Sequence, residues 1–308
     1  MRKFDPIQLG SIELFCTAAE LNSFSAAAEA LGLTPAAVSR SIKRLEQRLG
    51  VRLFARTTRT VRLSSEGELY RQACQQALEQ IADAERTLSG QQQQPSGCLR
   101  ISAGTLYANH RLLPLLPRFS AAYPQIALEL SLSNRVVDIV DEGYDLAIRI
   151  GTPQDSRLVA HKLEDASLGV FATPGYLAQR GVPITLAELA QHDCLQFVLP
   201  STGRAMPWLF RAADGSALEY SDHSRRRVLD DAAGCISWGL AGGGLFQSYH
   251  FIAAPALARG ELVEVLPAYG GRSRQFSLIY PQHRHLSARL RAFVAFMSAQ
   301  LAPPAGAR

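Results

Sequence analysis

The chain has 308 residues, 47% of them apolar and 19% charged, with a net charge of +5. This is the profile of a globular protein with two or three domains. No apolar run reaches the roughly 18–20 residues of a membrane span, and no secretory leader pattern opens the chain, so the cytoplasm is the expected compartment. The five cysteines stand singly, with no C-x-x-C pair, which predicts reduced, buried thiols rather than a disulfide framework or a metal site.

The charge is unevenly spread. Residues 34–62 hold eight basic side chains (Arg40, Lys43, Arg44, Arg48, Arg52, Arg56, Arg59, Arg62) against one acid, Glu46. One short stretch thus carries the electrostatic footprint of a nucleic-acid contact.

In chain order, Ile12, Phe15 and Ala19 recur at helical spacing and predict a first helix over about 8–21. A break at residues 22–25 leads to a second helix over 26–31, ended by Gly32. Thr34 then reads as an N-cap with Pro35 at the first helical position, and a third helix runs to Leu49 with Gly50 as its stop. On that helix Val38, Ile42, Leu45 and Leu49 form an apolar stripe. Ala36, Arg40, Lys43 and Gln47 project oppositely, flanked by Ser39 and Arg44. A short helix, a glycine turn and a helix with a small, polar, basic face make a helix-turn-helix pattern. Its second helix would present its first residues to base edges in the major groove, and Arg40 suits guanine or a phosphate.

Residues 51–54 and 60–63 predict two strands of a hairpin wing, with Arg56, Thr57, Thr58 and Arg59 at its tip on the phosphate backbone. A capped helix follows, with either Ser64 as N-cap or a Ser65/Glu68 capping box. It reaches Gly90, about 40 Å. Its stripe of Leu69, Ala73, Ala77, Ile81, Ala84 and Leu88 calls for a partner helix, which a second copy of the chain supplies. Residues 91–97, QQQQPSG, read as a hinge. Beyond them strand and helix patterns alternate, the signature of α/β units around a largely parallel sheet.

Residues 24–46, FSAAAEALGLTPAAVSRSIKRLE, resemble the helix-turn-helix of LysR-type transcriptional regulators. Residues 49–59, LGVRLFARTTR, resemble that family's wing, and residues 63–67, LSSEG, the start of its linker helix. Further on, LRI at 99–101, DLAIRIG at 145–151 and ARGELVEVL at 258–266 are similar to parts of the family's sensor domain. The resemblance spans nearly the whole chain. It implies an all-α winged helix-turn-helix at 1–63, a linker and dimerisation helix at 64–90, a hinge at 91–97, and an α/β, two-lobed effector domain at 98–308 built like a periplasmic binding protein. The first lobe would take about 98–164 and 267–300, the second about 165–266, with a ligand cleft between them. It also implies dimers or tetramers, the sensor domains supplying a second interface, and strand ends as the place of effector contacts.

On their own residues, Gly104, Thr105 and Leu106 form a strand-to-helix junction whose free N–H groups suit a carboxylate or phosphate. Ser131 and Ser133, after a strand at 126–130, either line the cleft or cap turns. Arg149 either binds an anion or pairs with Asp141 or Asp145. Phe246 offers an apolar wall. Trp208 and Phe210 suit core packing better than the cleft, residues 225–227 read as a solvated loop, and the three glycines of Gly242–Gly244 depart from the glycine-containing turn usual in the family, so they either widen the cleft or loosen a loop.

No catalytic set emerges. Residues 234–239 are one residue too long for a nucleophile elbow, His283 and His285 lack a third metal ligand, and Asp230 and Asp231 diverge if they lie on a helix. The expected partners are double-stranded promoter DNA, a small, anionic effector and a second copy of the chain, with RNA polymerase held open as a further one; no cofactor and no membrane is expected. The alternative class is a ligand-binding protein of periplasmic type without gene regulation. It would need an export signal and would leave residues 1–90 without a role, just as a purely architectural DNA protein would leave the sensor without one.

Overall fold

The computed structural model describes residues 7–56, 61–88, 95–153, 155–221, 226–282 and 286–301. The chain forms two compact units, 1–93 and 94–308.

In the first unit α1 (Ile7–Glu20), α2 (Phe24–Ala30) and α3 (Pro35–Leu49) pack around Phe15, Val38, Ile42 and Leu45. The local chemistry sets the boundaries. Ser23 Oγ accepts from Ala26 N–H at 3.2 Å, so α2 starts two residues earlier than its periodicity suggests. Thr34 Oγ1 caps Ala37 N–H at 3.2 Å, with Pro35 in the first turn. Gly50 ends α3 at φ +74°, where a Cβ would be disfavoured. Leu49, expected in the core, is 37% exposed and takes no part in the cluster around Phe15. Strands β1 (Phe54–Arg56) and β2 (Val61–Leu63) pair antiparallel, Phe54 opposite Leu63. The first strand is displaced from its predicted 51–54 to 54–56, taking in Ala55 and Arg56, and just before it Glu46 accepts from the N–H groups of Leu53 and Phe54 at 2.9 and 3.2 Å. The only acid of the basic stretch is therefore turned away from its cationic face. The wing tip, residues 57–60, lies outside the described residues, and Arg56 is described only in its backbone.

Helix α4 (Ser65–Leu88) is capped by Ser64, whose Oγ accepts from Gly67 N–H at 2.9 Å, rather than by Ser65 and Glu68. Tyr70 and Cys74 pack onto the core, the Tyr70 ring 5.3 Å from that of Phe15. Leu69, Ala73, Ala77 and Ile81 point away and are exposed.

The second unit holds β3 (Gly97–Ala103), a continuous helical run comprising α5 (Thr105–Tyr107), a π turn (Ala108–Leu112), a 3-10 turn (Leu113–Leu115) and α6 (Leu116–Ala122), then β4 (Ile126–Leu132), β5 (Leu146–Ile150) and the long β6 (Leu158–Ala172). There follow α7 (Pro174–Arg180), β7 (Gln196–Phe197), β8 (Trp208–Arg211), β9 (Ala217–Tyr220), β10 (Arg227–Val228), α8 (Ala233–Leu240), β11 (Phe246–Tyr249), α9 (His250–Ala258), β12 (Val263–Val265), β13 (Ser273–Pro281) and α10 (Ala288–Leu301).

The main sheet has the order β11-β6-β13-β5-β3-β4, with β12 also on β6. It is mixed rather than largely parallel. β3, β4 and β5 run parallel, while β13 returns antiparallel to both β5 and β6. The reason is β6: its first part pairs with β13 and its last five residues pair with β11 and β12. One 15-residue strand thus passes from the first lobe to the second, and β13 lies beside it. Each lobe has its own core, one around Leu99, Phe119, Leu278 and Phe293, the other around Phe171, Trp208, Leu245 and Phe246.

The triple glycine does not loosen anything. Gly242 and Gly244 have φ +81° and +146°, and a Cβ on Gly244 would fall 2.0 Å from the Asp193 carbonyl oxygen. That carbonyl accepts from Leu245 N–H at 2.9 Å. Arg226, read from sequence as solvated, pairs with Asp193 Oδ1 at 3.2 Å and donates to Gly243 O. None of the three glycines borders the cavity described below.

Candidate functional site

Two sites stand out, one in each unit. On α3, Thr34, Pro35, Ala36, Arg40, Lys43, Arg44 and Gln47 are exposed and Ser39 is half-buried, opposite the buried Val38, Ile42 and Leu45. Arg40, Lys43 and Arg44 make no hydrogen bond or ion pair with a described residue. Three cations on one helix face, without partners among the described residues, are available to an external polyanion, and the small residues at the start of the helix permit close approach. Thr57, Thr58 and Arg59, expected to accompany them, lie outside the described residues.

The second site is a cavity of 660 Å³ in the effector domain, a size suited to a small organic ligand. Its walls come from the ends of β3 and β5, the segment after β4, β6 and β13, the loop before β8, the start of α8, and β11. Of the residues expected there, Gly104, Leu106 and Arg149 line it. Thr105, Ser131, Ser133 and Phe246 do not, each for a structural reason. Thr105 N–H is not free: it donates to Asn134 Oδ1 at 3.2 Å, and its hydroxyl donates to Asp231 Oδ1 at 2.8 Å. Asn134 Nδ2 also donates to Asp230 O at 2.9 Å. Thr105 and Asn134 thus clasp the first lobe to a turn of the second. Asp230 sits there at φ +65°, and Asp231 accepts from Ala233 N–H at the head of α8, so the two acids lie before a helix and not on one. Ser131 is still inside β4, opposite Ser102, because that strand runs on to Leu132. Ser133 Oγ accepts from Arg135 N–H at 3.1 Å, the turn-capping alternative. Phe246 is fully buried in the second lobe, beside Phe171 and Gly239.

Arg149 is one of the charged residues that line the cavity. Its Nη2 donates to Ser102 Oγ at 2.7 Å and its Nη1 to Ile148 O at 2.9 Å. No carboxylate among the described residues pairs with it. Asp145, a candidate neutraliser, instead accepts from Arg100 N–H at 2.8 Å and pairs with the buried Arg289 at 3.3 Å. Asp141 makes no ion pair or hydrogen bond with Arg149 either. Burial pushes the Arg149 guanidinium down to about 10, which leaves it charged at neutral pH. Two wall residues, Ser248 and Arg274, lie beyond what the sequence pattern points to, and Trp208, which the sequence assigns to core rather than cleft, lines it as well. Trp208 is both core and wall, only 4% exposed. Burial pushes the Cys235 thiol, also at the wall, up to about 12, so it stays protonated. Among the described residues no cluster of side chains could hold a metal, and His283 and His285 lie outside them.

Comparison with known proteins places both units in known families. Residues 9–68 match the family model described as bacterial regulatory helix-turn-helix protein, lysR family, and residues 92–302 match the LysR substrate binding domain. The chain is 35% identical over 288 residues to an HTH-type transcriptional repressor of Pseudomonas aeruginosa (strain UCBPP-PA14), covering 93% of this chain and 90% of the relative. It is 34% identical over 294 residues to the HTH-type transcriptional regulator CrgA of Neisseria meningitidis serogroup C (strain 8013), covering 94% and 96%. The crystal structure of CrgA from Neisseria meningitidis superposes with a TM-score of 0.61 at 32% identity, over 98% of this chain and all of that one. The full-length Vibrio cholerae virulence activator AphB superposes with a TM-score of 0.60 at 26% identity, over 94% and 98%. No enzyme family is indicated. Two family models that together span most of the chain, and relatives 34–35% identical over almost its full length, make this chain a member of the LysR family of transcriptional regulators.

Proposed function

We propose that this regulator binds double-stranded promoter DNA through the exposed face of α3 and the wing, as a dimer or tetramer, and that a small organic anion in the cavity controls it. The observation that carries the effector half is Arg149, a half-buried cation with no carboxylate partner among the described residues, in a chamber otherwise mainly apolar. Burying an unpaired charge is costly, and an anionic ligand offsets that cost. Screening aromatic and short-chain carboxylates by thermal shift on the full-length protein should find at least one that raises the melting temperature of the wild type and not of Arg149→Gln. A panel that shifts neither protein, or both equally, sinks the anion reading.

Self-association is supported by α4. Leu69 is 66% and Ile81 44% exposed, on the same face as the exposed Ala73 and Ala77. Such a stripe buries well against a second copy of itself, in a two-fold arrangement that matches two-fold DNA sites. Leu69→Glu combined with Ile81→Glu should convert the full-length protein to smaller species in light scattering at micromolar concentration. The fold should persist, because neither side chain enters the core. An unchanged mass would place the main interface elsewhere.

The chemistry supports no enzymatic role, and among the described residues no helix is long and apolar enough to cross a membrane. The cytoplasm, and contact with RNA polymerase when bound to DNA, belong to the same proposal. A ligand-binding protein without gene regulation would leave three uncompensated cations on α3 with nothing to meet.

A further inference from the structure

Thr105, Asn134, Asp230 and Asp231 share a hydrogen-bond network that runs from the first lobe to the second. The Thr105 hydroxyl donates to Asp231 Oδ1 at 2.8 Å and accepts from Asn134 Nδ2 at 3.0 Å. Asn134 Oδ1 accepts from Thr105 N–H at 3.2 Å, and its Nδ2 also donates to Asp230 O at 2.9 Å. Every donor hydrogen of the two side chains is thereby used. Two of the bonds, those to Asp231 and Asp230, join the lobes. Asp230 and Asp231 are exposed, and Thr105 and Asn134 half-buried, so the network stands at a rim open to solvent and not in a core.

The turn on the second lobe is strained. Asp231 N–H donates to Leu229 O at 2.7 Å, which closes a three-residue turn around Asp230 at φ +65°. This left-handed backbone costs any residue other than glycine. Such strain persists where other contacts hold it in place, and Asn134 and Thr105 supply them here. The network also borders the cavity, since Gly104, Asn134 and Ala232 line it. Arg149 Nη2 donates to Ser102 Oγ at 2.7 Å and to Arg135 O at 3.4 Å. Ser102 lies three residues before Thr105, and Arg135 follows Asn134. The two segments that anchor the unpaired cation are therefore the two that hold Asp230 and Asp231. The chain itself joins the lobes elsewhere, in β6 and in the connection from β12 to β13.

We infer that these four residues are a latch that holds the lobes in their ligand-free setting, and that an anion reaches Arg149 only when the latch opens. The lobes can part at the latch while β6 keeps them joined. Asp230 and Asp231 place two carboxylates at the rim, which oppose the entry of an anion while the latch is shut. The bonds are few and exposed, so losing one shifts the latch equilibrium by about 3- to 10-fold. Ligand and latch are alternatives. Weakening the latch therefore raises the apparent affinity by the factor by which it raises the open population. This inference rests on the anion reading of Arg149.

The test uses the full-length protein as wild type, Thr105→Val and Asp231→Asn, with circular dichroism confirming that each variant folds. Thr105→Val removes the bond to Asp231 without changing charge, and Thr105 does not line the cavity. Asp231→Asn removes the charge but keeps an acceptor for Ala233 N–H at the head of α8. Amide hydrogen exchange read by mass spectrometry should be about threefold or more faster over residues 228–235 in Thr105→Val, although Asp231 is 126 residues away in sequence. In calorimetry with benzoate and hexanoate as probes, at least one should bind both variants about threefold or more tightly than wild type. Neither should bind Thr105→Val combined with Arg149→Gln. Unchanged exchange overturns the latch, whatever the probes do. Faster exchange with unchanged or weaker binding overturns the gating and leaves the anion reading standing. A gain in Asp231→Asn alone also overturns it, because charge and not the latch then sets the affinity. Binding that survives Arg149→Gln, or probes that bind no form of the protein, overturns both readings.

Discussion

Replacing Gly244 by alanine should destabilise the effector domain by about 4 kcal/mol or more, from a strained backbone and an overlap with main-chain atoms together. The residue sits at φ +146°, and the added Cβ would lie 2.0 Å from Asp193 O, 3.0 Å from Asp193 C and 3.1 Å from Asp193 Cβ. None of these is the far end of a flexible side chain that could swing away. The Asp193 carbonyl is also the acceptor for Leu245 N–H, and Leu195 N–H donates to Leu245 O at 2.8 Å. Pushing Asp193 aside therefore breaks the bridge that joins the strand at Leu195 to the one at Phe246, in the middle of the second lobe. At about 2–4 °C per kcal/mol for a domain of this size, the melting temperature should fall by about 8 °C or more, to the point of insoluble expression. Gly242→Ala is the control. Its Cβ meets only Thr173 Oγ1, at 3.6 Å, so it carries the cost of a left-handed backbone alone, about 1 kcal/mol. Equal losses in the two variants would show that the close approach at Asp193 is not the cause.

The helix-turn-helix is legible in the sequence because its determinants are local. Thr34 and Pro35 set a helix start, Gly50 sets its end, and the wheel from Val38 to Leu45 assigns its faces without reference to any distant residue. Pattern and structure part where a tertiary contact intervenes. Leu49 lies on the apolar stripe but in the last turn of α3, outside the core cluster of the described residues. Residues 51–53 read as strand, yet Glu46 takes the N–H groups of Leu53 and Phe54 that the pattern assigns to a ladder. Ser64 and Ser65 fit caps equally well, and only the packing of α4 decides between them.

The effector cavity is legible in outline and not in its individual residues. Strand ends do surround it, and that rule finds Gly104, Leu106 and Arg149. What the rule cannot supply is the pairing across the lobes. Thr105 reads as an open hydroxyl because its partner, Asp231, is far away in the chain, and Phe246 reads as a wall because alternation along β11 does not say which face meets Gly239. Arg274 leaves one signal, a cation in the otherwise mainly apolar strand Ser273–Pro281. Reading it requires knowing that this strand borders the cleft, which the chain reveals only when β13 is placed beside β5 and β6.

Arg40→Ala should lower affinity for the selected DNA site by about 10- to 100-fold per half-site while lowering affinity for unrelated DNA far less. A bidentate arginine–guanine pair is worth about 1–3 kcal/mol of discrimination. Arg40 stands in the second turn of α3, exposed, opposite the buried Val38 and Ile42, and bonded to no described residue. In a two-fold complex the substitution acts in both copies, so the effect on the whole site approaches the product of the two halves. Helix stability does not confound the result, since alanine is as good a helix former as arginine or better and the side chain touches no core. Arg59→Ala, chosen on its place in the sequence at the wing tip, should behave differently. Removing a phosphate-binding cation there weakens every sequence alike and reduces the slope of log affinity against log salt by about 1. The measurement is a mobility shift over about 50–200 mM salt, using a site enriched from random DNA by the wild-type protein and a scrambled version of it. If Arg40→Ala weakens the two DNAs equally, the side chain meets a phosphate rather than a base. If it weakens neither, α3 is not the helix that enters the groove.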